Sequence, residues 1–217
     1  MAQKSGHASA RPRGRPRKFE EAQVLERARD VFWNNGYAAT SLDELAAATG
    51  LNRPSLHAAF GDKHALYLRT LQENREGSVN GIRHRMAGEV PLRKALFDFL
   101  IEAAESTLIG ERGSRGCFVV CTAVTEALRD SDTRMIAAGY VDDVDRVFRE
   151  RFERSQDELN AGVDPASAAL VAAAMLQTLA VRARTGSGRK QLEEVARAAV
   201  IAICGGPATA TKAEVRA

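Results

Sequence analysis

The stretch from Thr40 to Lys63, TSLDELAAATGLNRPSLHAAFGDK, leaves this chain few local options. Ser41 and Glu44 stand three residues apart. At that spacing a serine oxygen takes an N–H of a helix's first turn while the glutamate reaches back to the cap. Leu42, Leu45 and Ala46 then give the helix an apolar face. Gly50 follows, the residue that accepts a left-handed C-terminal turn at least cost. Asn52 is placed as a second N-cap, and Pro54 sits in a first turn, where a missing N–H does no harm. A second helix follows with Leu56, Ala59 and Phe60 inward. Two capped helices around one tight turn are specified here by local chemistry alone.

The second helix also has an outward face. At about 100° per residue, Pro54 and Ala58 lie opposite Leu56 and Phe60. Ser55 and His57 flank them, and Arg53 swings over from the helix start. A short, polar, basic helix face fits the DNA major groove. The segment resembles the helix-turn-helix of the TetR family of transcriptional regulators through Thr40-Ser41, Leu45-Ala46, Thr49-Gly50-Leu51-Asn52, Leu56-His57, Phe60, Lys63 and Leu66. It departs at His57, where that family usually has a tyrosine, and at Thr49, usually alanine.

The resemblance covers residues 19 to 76 and implies an all-α fold. An N-terminal three-helix DNA-binding domain would precede a C-terminal helical domain for ligand binding and dimerisation. It further implies a homodimeric, ligand-released repressor on a pseudo-palindromic operator of double-stranded DNA. Arg53, Pro54, Ser55, His57 and Ala58 would meet base edges, with Thr40, Ser41 and Lys63 beside them. A lysine opposes the dipole at a helix start, so a phosphate would give Lys63 a purpose.

Charge supports a nucleic-acid partner. The net charge is +3, yet residues 1–18 hold Lys4, Arg11, Arg13, Arg15, Arg17 and Lys18 without one acid, so the rest is net acidic. The Arg-Pro-Arg-Gly-Arg-Pro-Arg-Lys run resembles an AT-hook, with prolines keeping the chain extended and Arg13, Arg15 and Arg17 suited to a narrow minor groove. Such an arm, on its own, would also suit an architectural protein of A·T tracts. The two capped helices favour a regulator.

The chain divides into a disordered arm (1–18), a helix-turn-helix domain (19–65), an effector and dimerisation domain (66–205) and a disordered tail (206–217). Helices are expected from Phe19 to Asn35, from Lys63, and from Pro91 to before Gly110. Others should span Ser114 to Leu128, Asp132 to Leu159, Asp164 to Thr185 and Ser187 to Ile203. Gly77 to Gly88 reads as a helix end plus loop. In the long helix from Asp132, residues Asp142, Asp143, Asp145, Arg146, Arg149 and Glu150 read as a solvated face. Residues 168–183 are apolar nearly all round, which points to a subunit interface at Leu176 and Leu179, joined by Val195 and Ala199 of the last helix.

An apolar or aromatic effector is expected among Phe97, Leu100, Cys117, Phe118, Cys121, Tyr140 and Phe148. Three cysteines without repeated spacing suggest a reduced, cytoplasmic setting. Cys117, near a helix start and close to Arg112 and Arg115, is a candidate thiolate, with Cys121 set more deeply. The Arg-Gly-Cys segment is similar to one in family members that sense electrophiles, so an electrophile is the alternative effector. No phosphate loop, metal helix or nucleophile elbow is present, so no cofactor, metal or enzymatic activity is expected. No apolar run reaches the ~20 residues of a membrane span.

Overall fold

The computed structural model describes residues 18–110 and 113–206; Arg13, Arg15, Arg17 and Arg112 lie outside them, as do the arm before 18 and the tail beyond 206. The described residues contain helices and no strand. The order is α1 (Lys18–Asn35), α2 (Leu42–Thr49), α3 (Arg53–Phe60), α4 (Lys63–Met86) and α5 (Leu92–Leu108). It continues with α6 (Val124–Glu126), α7 (Ser131–Arg154), α8 (Pro165–Arg184) and α9 (Arg189–Cys204).

The head forms as its caps dictate. Ser41 and Glu44 complete the reciprocal capping box, and Gly50 closes α2 at φ 72°. Asn52 accepts from the Ser55 N–H at 2.9 Å. Leu25, Ala28, Phe32, Leu45 and Leu56 are buried between α1, α2 and α3. Two expected core positions are corrected. Leu42 is 39% exposed, and Leu45 and Thr49 are the buried residues of the short α2. Ala59 is exposed, since α3 touches the rest of the head through Leu56 and Phe60 and ends at Gly61.

Helix α4 joins head to body, and the expected division after residue 65 falls inside its first turn. The break expected from Gly77 to Gly88 is absent up to Met86. Val79, Ile82 and Met86 are buried at helical spacing, and that packing outweighs a cost of about 1 kcal/mol for each helical glycine. The expected helix from Ser114 is corrected too. Residues 113–117 are irregular chain with positive φ at Gly113 and Gly116, a π-helical turn occupies Val119–Ala123, and α6 is one short turn. Helix α7 stops at Arg154, ahead of a 3-10 turn at Gln156–Glu158. The Glu158 carboxylate there accepts the Leu92 N–H at 2.6 Å.

Two ion pairs fasten α4 to α7. His64 Nε2 lies 2.7 Å from the carboxylate of Asp130, which itself caps α7. Arg75 reaches Asp143 at 2.9 and 2.6 Å. To get there it crosses Gly139, where a Cβ would stand 2.5 Å from the guanidinium. Asp143 is therefore packed against α4 and does not belong to a solvated face.

Helices α8 and α9 close the body. Arg93 donates to the carbonyls of Cys204 and Gly206, each at 2.9 Å, and so satisfies the open end of α9. Helix α8 has the length and apolarity of a membrane span. Its alanine stripe (Ala168, Ala169, Ala172, Ala173) is nonetheless buried against the chain's own helices. Of the four expected interface residues, Leu179 and Ala199 are thus core of this chain, and Leu176 and Val195 are only partly covered by it. The outward apolar positions of α8 and α9 are Leu170, Val171, Val181 and Ile201.

Candidate nucleic-acid interface and effector cavity

Helix α3 presents Arg53, Pro54, Ser55, His57 and Ala58 outward, all exposed. Arg53 is already engaged. Its Nε donates to one Asp43 oxygen at 2.6 Å, and a terminal nitrogen takes the other. This two-pronged hydrogen bond holds the Asp43 carboxyl below its usual range, and Asp43 raises Arg53 in return. His57 Nδ1 lies 3.1 Å from the Gly61 carbonyl, which fixes its ring at the C-terminal end of α3.

The residues placed beside these behave differently. Lys63 donates to the carbonyls of Tyr37 at 3.1 Å and Thr40 at 2.9 Å, with its ammonium 4.4 Å over the Tyr37 ring. That explains a lysine at a helix start: it binds α4 to the turn before α2. Thr40 is buried and donates to the Gly36 carbonyl at 2.7 Å. Ser41 is exposed, but its hydroxyl serves the cap. Lys63 and Thr40 are therefore internal fasteners of the head.

A cavity of about 620 Å³ lies between α1, α4 and α5. Most small-molecule sites occupy about 300–1,000 Å³. One stripe of α1 forms a wall through Leu25, Glu26, Arg29 and Trp33. Opposite stand Thr70, Glu73, Gly77, Ser78 and Gly81 of α4, and the two glycines and the serine make the room. A Cβ at Gly77 would meet nothing within 4 Å. Phe99, Phe118 and Tyr140 form a buried apolar floor, and Leu176 and Gln177 of α8 close the far side.

Of the expected effector residues, Cys117, Phe118 and Tyr140 line this cavity. Leu100 and Phe148 are buried core, and Phe97 lies 5.1 Å beneath Arg197 between α5 and α9. Cys121 stands behind Gly116 and outside the lining. Sequence reasoning missed Trp33, Glu73, Gly77 and Gly81; the lone tryptophan of the chain was the signal within reach.

Trp33 sits at a junction. Its indole N–H donates to the Arg115 carbonyl at 3.1 Å, and its ring lies 5.6 Å from Phe118. Arg29 and Arg115 approach that ring at 5.8 and 5.5 Å. Arg115 pairs with Asp30 at 2.9 Å. Arg184 of α8 donates to the Trp33 carbonyl at 3.2 Å and the Arg115 carbonyl at 3.1 Å. Gly116 makes this approach feasible. At φ 69°, a Cβ there would come 2.7 Å from the Ala180 carbonyl and 2.6 Å from the Cys121 sulfur.

The expected thiolate is corrected. Cys117 does stand just before a helical turn, and the N–H groups of Val119 and Val120 favour its charged form. Burial outweighs them and pushes the thiol up. Arg115 gives no help because it is held by Asp30 and Trp33. The Cys117 thiol faces the Tyr140 hydroxyl at 3.8 Å, and burial pushes that phenol well above its ordinary value. Cys121 is the less enclosed of the two, the reverse of expectation, and burial raises it as well. Among the described residues no group of three or more His, Cys, Asp or Glu is placed to hold a metal.

Residues 24–70, which contain α2 and α3 and most of α1, match the family described as "Bacterial regulatory proteins, tetR family". The chain is also similar to CifR, a TetR-family regulator whose cysteine mutant was solved with 26-bp double-strand operator DNA. That likeness is 32% identical, covers 87% of this chain and 99% of that one, and has a TM-score of 0.75. The chain belongs to the TetR family of transcriptional regulators. Among curated relatives, the repressor ComR of Escherichia coli is 32% identical over 130 residues, 58% of this chain and 60% of its own length. The regulator YezE of Bacillus subtilis is 29% identical over 55% of this chain and 61% of its own length. The chain thus spans about three fifths of these curated relatives. Reduced NemR of E. coli, at 16% identity and TM-score 0.76, shares the fold.

Proposed function

We propose that this regulator is a homodimeric repressor that reads a pseudo-palindromic operator with two α3 helices. It leaves the operator when a small molecule fills the cavity between α1, α4 and α5. One observation carries the reading: α1 is at once the central helix of the head and a wall of the cavity. A ligand that displaces Trp33 or Arg29 therefore moves the head directly. Two recognition helices must lie ~34–36 Å apart to enter successive major grooves, so a modest rotation is enough to release DNA.

On DNA, Arg53 exchanges Asp43 for a base edge or phosphate, Ser55 and His57 add polar contacts, and Pro54 and Ala58 meet thymine methyls. The CifR structure with operator DNA supports DNA as the partner. The basic arm with Arg13, Arg15 and Arg17 adds phosphate neutralisation. The dimer forms through the outward faces of α8 and α9, at Leu170, Val171, Val181 and Ile201. The protein acts in the cytoplasm by binding alone, without turnover.

The deciding experiment selects a binding site from random duplex DNA, then measures its footprint and the protein's sedimentation. One two-fold footprint bound by a dimer supports the reading. A monomer at micromolar concentration, or scattered A·T protection, overturns it. A Val171→Asp variant should dissociate, since an unpaired charge in an apolar seam costs several kcal/mol. A second reading, with Cys117 alkylated by an electrophile in the same cavity, is favoured by its place in the lining and opposed by its raised thiol.

A further inference from the structure

We propose that the cavity takes an amphipathic organic cation, an amine or quaternary ammonium on a compact apolar body, with Glu73 as its counter-charge. The proposal rests on the reading of this cavity as the effector site and names the chemistry of its ligand.

The argument is an account of charge around the cavity. Its ionisable lining consists of Glu26, Glu73 and Glu102 against Arg29 and Arg85. Arg85 is paired with Glu102 across the rim. Arg29 is held between Glu26 at 3.6 Å and Asp30 at 3.3 Å. Glu73 alone of these has no ion pair or hydrogen bond among the described residues. Arg69, one turn away, is taken by Glu21. Partial burial pushes the Glu73 carboxyl up; the charges of Arg69 and Arg29 oppose that rise and those of Glu21 and Glu76 add to it, and burial prevails. A carboxylate in that state is stabilised by a cation brought beside it.

The floor sets the rest of the ligand. Phe99, Phe118 and Tyr140 are buried and apolar. Burial keeps the Tyr140 phenol and Cys117 thiol neutral, so the floor offers no charge for an anion to meet. The Trp33 ring, which also lines the cavity, already has two guanidinium neighbours, Arg29 and Arg115. Gly77 and Ser78 provide width next to Glu73 on the same helix, so a bulky apolar group fits below the carboxylate.

Trp33 is the single tryptophan of the chain, and its emission therefore reports this cavity directly. The full-length protein is titrated with adamantylmethylamine, adamantylmethanol and adamantanecarboxylate, which share one apolar body and carry positive, zero and negative charge. The amine should bind most tightly and the carboxylate least. Glu73→Gln, an exposed and fold-neutral change, should weaken the amine on the order of fivefold and leave the alcohol unaltered. Glu73→Lys should reverse the order, and Gly77→Leu should abolish all three by filling the space. A carboxylate that binds as well as the amine, an order that survives Glu73→Gln, or no response to the amine at millimolar concentration overturns the proposal. Operator retention is measured separately. An amine that binds in this order while the operator stays bound upholds the ligand class and refutes release by ligand.

Discussion

Helix α3 and the segment from Gly113 to Glu126 are both short, and both sit at a functional surface, yet they are specified in opposite ways. Helix α3 is written in its own sequence: Asn52 caps it, Pro54 fits its first turn, and Gly61 ends it. The Gly113–Glu126 segment has no side-chain cap and changes from irregular chain through a π-helical turn to α6. It is held from outside by Trp33 of α1, by Arg184 of α8, and by the Tyr67 hydroxyl bonded to Thr122 at 3.2 Å. Local encoding sets the head helices through residues a few positions apart. Distributed encoding gives the cavity wall a shape that depends on every neighbour, which is what a ligand-responsive surface requires.

The largest expected effect lies where the two regions meet. Phe32 is fully buried and contacts the rings of Tyr37 and Tyr67 at 6.2 and 5.0 Å. Phe32→Ala should cost about 3–5 kcal/mol in urea unfolding, with head and body melting together. Separate transitions would show that the two regions are uncoupled. On the head alone, Arg53→Ala should lower operator affinity by about 1–3 kcal/mol if a guanine is its partner. Asp43→Asn should leave affinity equal or improved, because it frees Arg53. Weaker binding in Asp43→Asn would mean that the pair itself orients the arginine on DNA.

Ser41→Ala should cost about 1 kcal/mol by removing a cap, and hydrogen exchange should show the loss confined to α2. Spread of that loss to α5 would contradict local encoding. At the cavity wall, alkylation by iodoacetamide at neutral pH should mark Cys204 and Cys121 before Cys117 and should accelerate as pH rises. Cys117 reacting first would restore the electrophile reading.

The smallest effect concerns acid. Hydrogen bonds from Thr133 and then His64 depress the Asp130 carboxyl to about 2. Because the folded value is lowered, its stabilising contribution is present above about 3.8 and is lost as pH falls toward 2. Asp130→Asn should flatten the acid limb of an unfolding curve. An unchanged limb would remove this pair from the head–body connection.

What the sequence disclosed follows the same division. Ser41, Glu44, Gly50, Asn52 and Pro54 act within a few residues, so both head helices were legible with their boundaries. The outward face of α3 followed from their phase. Gly77 and Gly81 misled because the burial that sustains α4 around them comes from distant helices. The internal partners of Thr40 and Lys63 were hidden for a related reason: Gly36 and Tyr37 lie across a turn whose geometry no periodicity announces. For the cavity, the aromatic floor was partly legible as apolar positions. The part played by α1 was not, because Trp33 reads as one more residue of a head helix until the body is folded against it.

The two ion pairs between α4 and α7 bear on how force is distributed. A beam pinned near one end by His64–Asp130 and near its middle by Arg75–Asp143 neither slides nor tilts without breaking a pin. Gly139 lets the second pin seat without a gap. Pressure from inside the cavity therefore meets a stiff rail on one side and, on the other, α1, tied at the far end by Trp33 and Arg115. Under the release by ligand proposed above, α1 would yield first: the head would swing against its own supporting post, with α4 as the frame on which that swing is hung.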